Sequence, residues 1–486
     1  MASVVARYNP LAGRRFLARF KDAFTRRPNG TSWPKRERTW KHAGQYFRAL
    51  LRPGRRKSIT GLACRVNAES ERLERFVRES PWEHDEVEDH LRTAVPEGVE
   101  GPEAAIIVDG MGIPKQGKHS VGVARQWCGA TGNIDNCQVI VNCTLARPGQ
   151  ERNADQVTWP LGSQLYLTKK WAGIESEYDD QREREHFAQL REGAAIPDEV
   201  EYQPKYDIAA DLIEDALDAG IEHACVIADA NYGMRSAFRD RLRDLGESYV
   251  LEVETGRPYF VSEDLDIVEP GPTPGRGRAR KYRTIPDGVD PKSGGDIAEE
   301  LYDDVWAEVT WNQGTKGELS GSFYRRRVRV VSNANQRRVE DETGWVLLQR
   351  DHGAGWTEGG GELKVWVCWG LDDASLEELV KWAHLRWTIE QFHKHIKQLL
   401  GADEFQGRTW RGFHHHIAVV LLAQAFIAEQ RLETGEEFGG FDSFEKVARE
   451  LVRIAAIQRL MDEHGFDRDT AEEVGVDMLK GLSEWG

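Results

Sequence analysis

The hydrophobic period of the chain changes near residue 103, and the ordered series of short segments that follows fits few folds. Residues 104–109 (AAIIVD) make a six-residue apolar run leading into Gly-containing turns, too short for a helix and suited to a buried strand. Residues 121–128 and 137–146 are likewise rich in β-branched side chains, so three consecutive strands are expected as an antiparallel meander. Residues 206–219 (YDIAADLIEDALDA) then place apolar side chains three and four apart, which is helical spacing. A strand at 223–228, a helix at 235–245 and a strand at 249–253 complete the series.

Three strands, then helix, strand, helix and strand, is the order of an RNase H-like fold, a mixed sheet with helices on its faces. The expected class is therefore α/β, with an RNase H-like (retroviral-integrase-like) catalytic core whose first part spans 101–254. Residues 1–100 read as a helical, basic DNA-binding region, with helical spacing at 40–51, 70–78 and 83–94. A Pro/Gly/Arg-rich stretch (PGPTPGRGRARKYR) opens 255–370, where alternating segments at 305–311, 323–331, 345–349 and 363–369 predict a β-rich insertion. That insertion holds Trp306, Trp311, Trp345, Trp356, Trp366 and Trp369, read as core, and basic clusters at 276–283 and 325–329, read as DNA contacts. The core resumes over 371–433 with helices at 375–400 and 413–433, and 434–486 forms a helical C-terminal region.

The formal charge of -16 conceals a segregation. Residues 1–60 hold 16 Lys or Arg against Asp22 and Glu37, a net of +14, which leaves -30 on the other 426 residues. A basic segment on an acidic body suits phosphate contact, because the local field attracts a polyanion whatever the total charge. A like-charge block that is merely solvated is the plain alternative. The apolar run at 417–427 is shorter than the roughly 20 residues of a membrane span, and no apolar leader follows Arg14, Arg15 and Arg19. The six cysteines form no CxxC pair and no zinc spacing, as reduced buried thiols would.

Phosphodiester chemistry with two divalent cations needs carboxylates gathered at one sheet edge. Asp109 closes the first strand and Asp229 follows the fourth, each before a Gly-containing turn (DGMG, DANYG). In an RNase H-like sheet those strands are neighbours, so the two carboxylates converge; alone, either would read as a turn former or cap. Glu390 is the third candidate, in a helix over 382–400 (WAHLRWTIEQFHKHIKQLL). There Arg386, Glu390, His393, Lys394 and Lys397 share one face, beside a packing side of Leu385, Ile389, Phe392 and Ile396. The face is either a solvated charge ladder or a site with Glu390 on metal and Arg386 and Lys397 on phosphates. Lys115 and Lys118, after the first strand, either touch DNA or solvate the turn. His414, His415 and His416 point about 100° apart on a helix and do not readily share an ion, so phosphate contact or capping is expected of them.

The 382–400 segment resembles the signature helix of insertion-sequence DDE transposases with a Tyr-Arg-Glu-Lys pattern. Arg386, Glu390 and Lys397 match three of its positions, and Ala383 stands at the tyrosine. The stretches DGMGIPKQGKHSVGVARQWCGATGNIDNCQV and GADEFQGRTWRGFHHHIAVVLLA and the β-rich insertion also resemble that group, over roughly residues 35–430. Many relatives carry a second acidic residue where this chain has Gly110, leaving Asp109 as the first ligand. The resemblance implies a prokaryotic, cytoplasmic, nucleoid-associated enzyme using two Mg2+ (or Mn2+), working as a homodimer on double-stranded DNA and without a membrane partner. It would bind the terminal inverted repeats of its element, cleave a strand and transfer it to target DNA. A domesticated DNA-binding protein without chemistry and a metal nuclease without strand transfer are the alternative expectations.

Overall fold

The computed structural model describes residues 12–26, 31, 36–52, 56–149, 156–272, 279–314, 317–333, 337–350, 362–438, 444–467, 470–471 and 474. Six helices come first: α1 (Ala12–Arg19), α2 (Lys21–Thr25), α3 (Arg36–Leu51), α4 (Ile59–Arg65), α5 (Ser70–Glu79) and α6 (His84–Thr93). Strands β1 (Ala105–Pro114), β2 (Ala124–Cys128), β3 (Asn133–Arg147) and β4 (Val157–Tyr166) follow. Then come α7 (Gln181–Gly193), α8 (Lys205–Asp218), β5 (Cys225–Ala228), α9 (Ala230–Gly233), α10 (Ser236–Asp244) and β6 (Tyr249–Val253). Strands β4, β3, β1, β5 and β6 lie side by side, with β3 antiparallel to β1 and β4, and β5 and β6 parallel to β1. This is the RNase H-like arrangement.

Two details of that sheet differ from the sequence reading. The third strand of the meander is β4, in a stretch that carried no strand signal, whereas β2 is a hairpin arm on the outer end of β3. Pro160 and Gly162 obscure β4, yet β4 pairs only with β3, so its proline sits on an edge strand, beside a register shift at Cys143/Thr144. The second detail is that β1 does not end at Asp109. It continues to Pro114, because residues 109–114 keep pairing with β3 after β5 has stopped.

The insertion contributes β7 (Tyr259–Ser262), β8 (Lys292–Ser293), α11 (Gly294–Glu300), β9 (Ala307–Gly314), β10 (Gly317–Asn333), β11 (Arg338–Arg350) and β12 (Leu363–Trp369). Because β12 pairs with β6, these strands prolong the core sheet in the order β6, β12, β11, β10, β7, β8. Arg325, Arg327 and Arg329 alternate along β10 and so share a face. That face is half-buried and its guanidinium groups have partners within the fold. Arg325 donates to the Ala374 carbonyl, Arg327 pairs with Glu263 and Asp372, and Arg329 donates to the Glu263 carbonyl. The guanidinium groups of Arg325 and Arg327 also cover Trp345, 4.4 and 5.0 Å from its centroid. Arg325, Arg327 and Arg329 are therefore engaged in holding β10 to its neighbours, whereas Arg326, on the opposite face, is exposed. Part of 276–283 and all of Trp356 lie outside the described residues; within the former, Arg283 pairs with Glu269 at 3.0 Å.

Helices α12 (Leu376–Leu385), α13 (Trp387–Gln398), α14 (Trp410–Phe438) and α15 (Phe444–His464) complete the chain. The single helix expected over 375–400 breaks at Arg386 into α12 and α13. The apolar run at 417–427 is explained by α14, which is buried between β4 and helices α3, α5 and α6 and so is apolar on every side. Among the described residues no helix is long and apolar enough to cross a membrane. His414, His415 and His416 sit at the N-terminal end of this core helix and are neither ligands nor phosphate contacts. His415 lies between the carbonyls of Val77 and Trp82, 2.8 Å from the first at Nδ1 and 2.7 Å from the second at Nε2, and donates to one of them. His416 lies 2.8 Å from the Tyr46 hydroxyl and 3.1 Å from the Gly401 carbonyl, and His414 takes the Leu165 amide. Adjacent positions point in different directions, as expected, but every direction is interior.

Candidate active site

Val108 pairs with Ala228 across the parallel ladder of β1 and β5, and the next residue on each strand is an aspartate. Parallel strands run about 4.8 Å apart, so Asp109 and Asp229 emerge side by side at the C-terminal end of the ladder. Asp109 is anchored on its other flank by pairing with Asn142 of β3, and its carboxylate accepts the Gly110 amide at 2.7 Å. Asp229 caps α9, accepting the Asn231 amide at 2.9 Å and its side-chain amide at 2.7 Å. Burial, and next the charge of Asp229, push the Asp109 carboxyl up to about 7, although the Arg386 charge opposes them. The Tyr232 hydroxyl is buried beside the two aspartates without a hydrogen-bond partner.

Glu390 reaches the same place from α13, which packs over β1 and β4; Ile389, Phe392 and Ile396 on it, and Leu385 at the end of α12, are buried as their spacing predicts. Its carboxylate is 2.8 Å from Arg386, whose guanidinium also pairs with Glu252 of β6 at 3.3 Å. Glu252 was not anticipated, although a lone acid in the apolar strand YVLEV signals a partner. The far end of α13 is also fixed. Lys57, from the basic N-terminal segment, is buried and donates to the Leu399 carbonyl, and Lys115 donates to the carbonyls of Asp403 and Phe405 at 3.1 and 2.9 Å.

These groups line a cleft of about 840 Å3 that contains Asp109, Asp229, Glu390, His393, Lys394 and Lys397, together with Lys205 and Arg235. Lys205 and Arg235 were missed because each lies on an element that carried no motif. Of the proposed DNA contacts, Arg386, Lys394 and Lys397 stand at or in the cleft, and Lys118 is exposed on the loop after β1. Lys115 is instead committed to backbone carbonyls. His393 is 7% exposed and turned inward, 3.1 Å from the Asn142 amide and 4.0 Å from Asp109. Burial drives its imidazole down to about 3, so it stays neutral.

Among the described residues no three of His, Cys, Asp and Glu form a group that could hold a metal ion as they stand. The two aspartates nevertheless fit a divalent cation. Burial and then the Asp229 charge raise the Asp109 carboxyl, a buried phenol oxygen beside the pair lacks a partner, and carboxylate oxygen is the donor that hard cations prefer. Glu390 stands paired with Arg386, and its side chain is 47% exposed.

No curated protein matches this sequence. Among solved structures, a piggyBac transposase synaptic complex with hairpin DNA is similar at 10% identity and a TM-score of 0.42, over 99% of this chain and 87% of that one. The profile of the family described as DDE superfamily endonuclease matches residues 20–318, more than half of the chain and a range that includes Asp109 and Asp229, and the chain belongs to that family.

Proposed function

We propose that the protein is a DDE transposase that binds the terminal inverted repeats of its own element, nicks the DNA and joins the freed 3' end to a target. The observation that carries this reading is the placement of Asp109 and Asp229 on adjacent parallel strands beneath the Glu390 helix, in a cleft that also holds Lys205, Arg235, Lys394 and Lys397. In this reading Asp109, Asp229 and Glu390 hold two Mg2+ or Mn2+ ions, which when bound activate the attacking oxygen and steady the leaving one. Lys394 and Lys397 bind the phosphates on either side of the scissile bond, with Arg235 across the cleft. Arg386 positions Glu390 from its seat on Glu252, and His393 with Asn142 confines the Asp109 side chain. Two ends cleaved by one assembly make a homodimer on DNA the natural working unit.

The test is a cleavage and strand-transfer assay with the DNA flanking the gene, in Mg2+ and in Mn2+. Nicks at the element ends and joined products are expected from the wild type, and neither from Asp229→Asn or Glu390→Gln, both of which should still bind. Cleavage undiminished in both variants would sink the triad. Binding without nicking in either metal would favour a domesticated DNA-binding protein, and nicking without joined products a nuclease.

A further inference from the structure

The cleft has an aromatic side that phosphate binding does not use. Trp127 lines it, as do Tyr166 and Tyr202, whose ring centroids are 6.5 Å apart with their planes at 67°. Trp127 is 56% exposed on β2 and pairs in register with Ile134 of β3, itself 61% exposed. Residues paired across an antiparallel ladder and two apart along it share a face, so Arg125, Trp127, Ile134 and Asn136 project together. The arm is held rigidly: Cys128 and Cys137 pack beneath it, and the Asn136 side chain donates to the carbonyls of Lys115 and Gly117 at 2.5 and 2.9 Å. An indole held open to water on a braced hairpin contributes little to the fold, and burial of its partners does not require it.

We propose that Trp127 is a stacking platform for an unpaired nucleobase of the DNA strand lying in the cleft. The inference rests on the transposase reading for the presence of DNA. The cleft combines what a single nucleic-acid strand requires, a row of cations that follows the backbone and rings that take the bases without regard to sequence. On one side stand Lys394 and Lys397; on the other, Lys205 lies with its ammonium 5.0 Å from the Tyr166 centroid. A second protein copy suits this surface less well, because the apolar pair Trp127 and Ile134 is small and opens directly onto charged groups.

The test uses the full-length protein in Ca2+, to hold cleavage back, with two fluorescent probes. One is a blunt duplex with 2-aminopurine inside it, and the other is a forked duplex with 2-aminopurine in its unpaired arm. Quenching of the fork by the wild type is expected, since the base stacks on indole. Trp127→Ala should leave the fork bright and weaken its binding by roughly 5- to 100-fold, with the blunt duplex little affected. Trp127→Phe should retain most of the effect, because the ring is kept. Equal quenching by wild type and Trp127→Ala, or equal loss on both probes, overturns the platform while leaving the carboxylate site untouched. Failure of the wild type to bind either probe overturns the transposase reading and the platform together.

Discussion

Asp109 and Asp229 are neighbours across two parallel strands, each one residue beyond the Val108 and Ala228 pair. The Asp109 carboxyl is raised to about 7 by burial and then by that neighbour's charge. A bound divalent cation removes the conflict. Mg2+ or Mn2+ at a hundredfold excess over its Kd is therefore expected to stabilise the fold by about 2.7 kcal/mol in thermal or urea unfolding. Asp109→Asn and Asp229→Asn should lose that increment, and a wild type indifferent to both metals would refute the pair as a metal site.

Arg386 joins Glu252 and Glu390, and its fork geometry is what lets one cation serve two carboxylates. Arg386→Lys keeps the charge but cannot bridge both. Cleavage is expected to fall about 10- to 100-fold, a barrier increase of about 1.4 to 2.7 kcal/mol, with the unfolding midpoint nearly unchanged. Wild-type rates in the lysine variant would show that charge alone suffices.

Lys115 and Lys397 were read alike from the sequence, yet they should behave differently. Lys115 donates to two backbone carbonyls, whereas Lys397 lines the cleft. Lys115→Ala should lower the melting temperature and leave the salt dependence of DNA binding as it was. Lys397→Ala should keep the melting temperature and reduce the slope of log K against log salt by about one. The reverse pattern would exchange the two assignments.

The insertion is tied to α10 by a buried ion pair: Arg239, 1% exposed, bonds Glu340 of β11, which also takes Arg243 at 2.9 Å. Removing one partner strands the other without water. Glu340→Ala should cost about 3 to 5 kcal/mol in urea unfolding, while the double replacement Arg239→Met, Glu340→Leu should cost less. If the double variant is no better than the single, the cost lies in packing and not in the orphaned charge.

His84, His384, His393, His414, His415 and His416 are all pushed below the usual imidazole range, first by burial. Values near 4 for His84 and near 3 for His384, His393, His414 and His416 mean that the folded chain refuses protons which the unfolded chain accepts below about 6.5. Their contribution to stability is present above pH 6.5 and is lost as the pH falls toward those values. Each adds about 1.4 kcal/mol per pH unit to the slope between roughly pH 6 and 4. Replacing His414 by Gln should remove one such increment from the pH dependence of the urea midpoint; an unaltered slope would mean that His414 is protonated in the fold.

Strands β1, β3, β5 and β6, helices α8 and α10, and the packing face of α13 follow from the sequence alone, because period and turn residues act over a few neighbours. Leu385, Ile389, Phe392 and Ile396 are buried as their spacing requires. The convergence of Asp109 and Asp229 was inferable only through the strand order of an assumed fold. The rest was settled by long-range contacts that leave no local trace. The hairpin β2 and the edge strand β4 exchange roles because β4 is stabilised by what covers it, not by its own alternation. The surroundings of other candidate contacts were likewise decided at a distance: Lys115 by the carbonyls of Asp403 and Phe405, His393 by Asn142, and Arg327 by Glu263 and Asp372. A polar side chain's role depends on which partner the fold brings within about 3 Å, and that partner can lie anywhere in the chain.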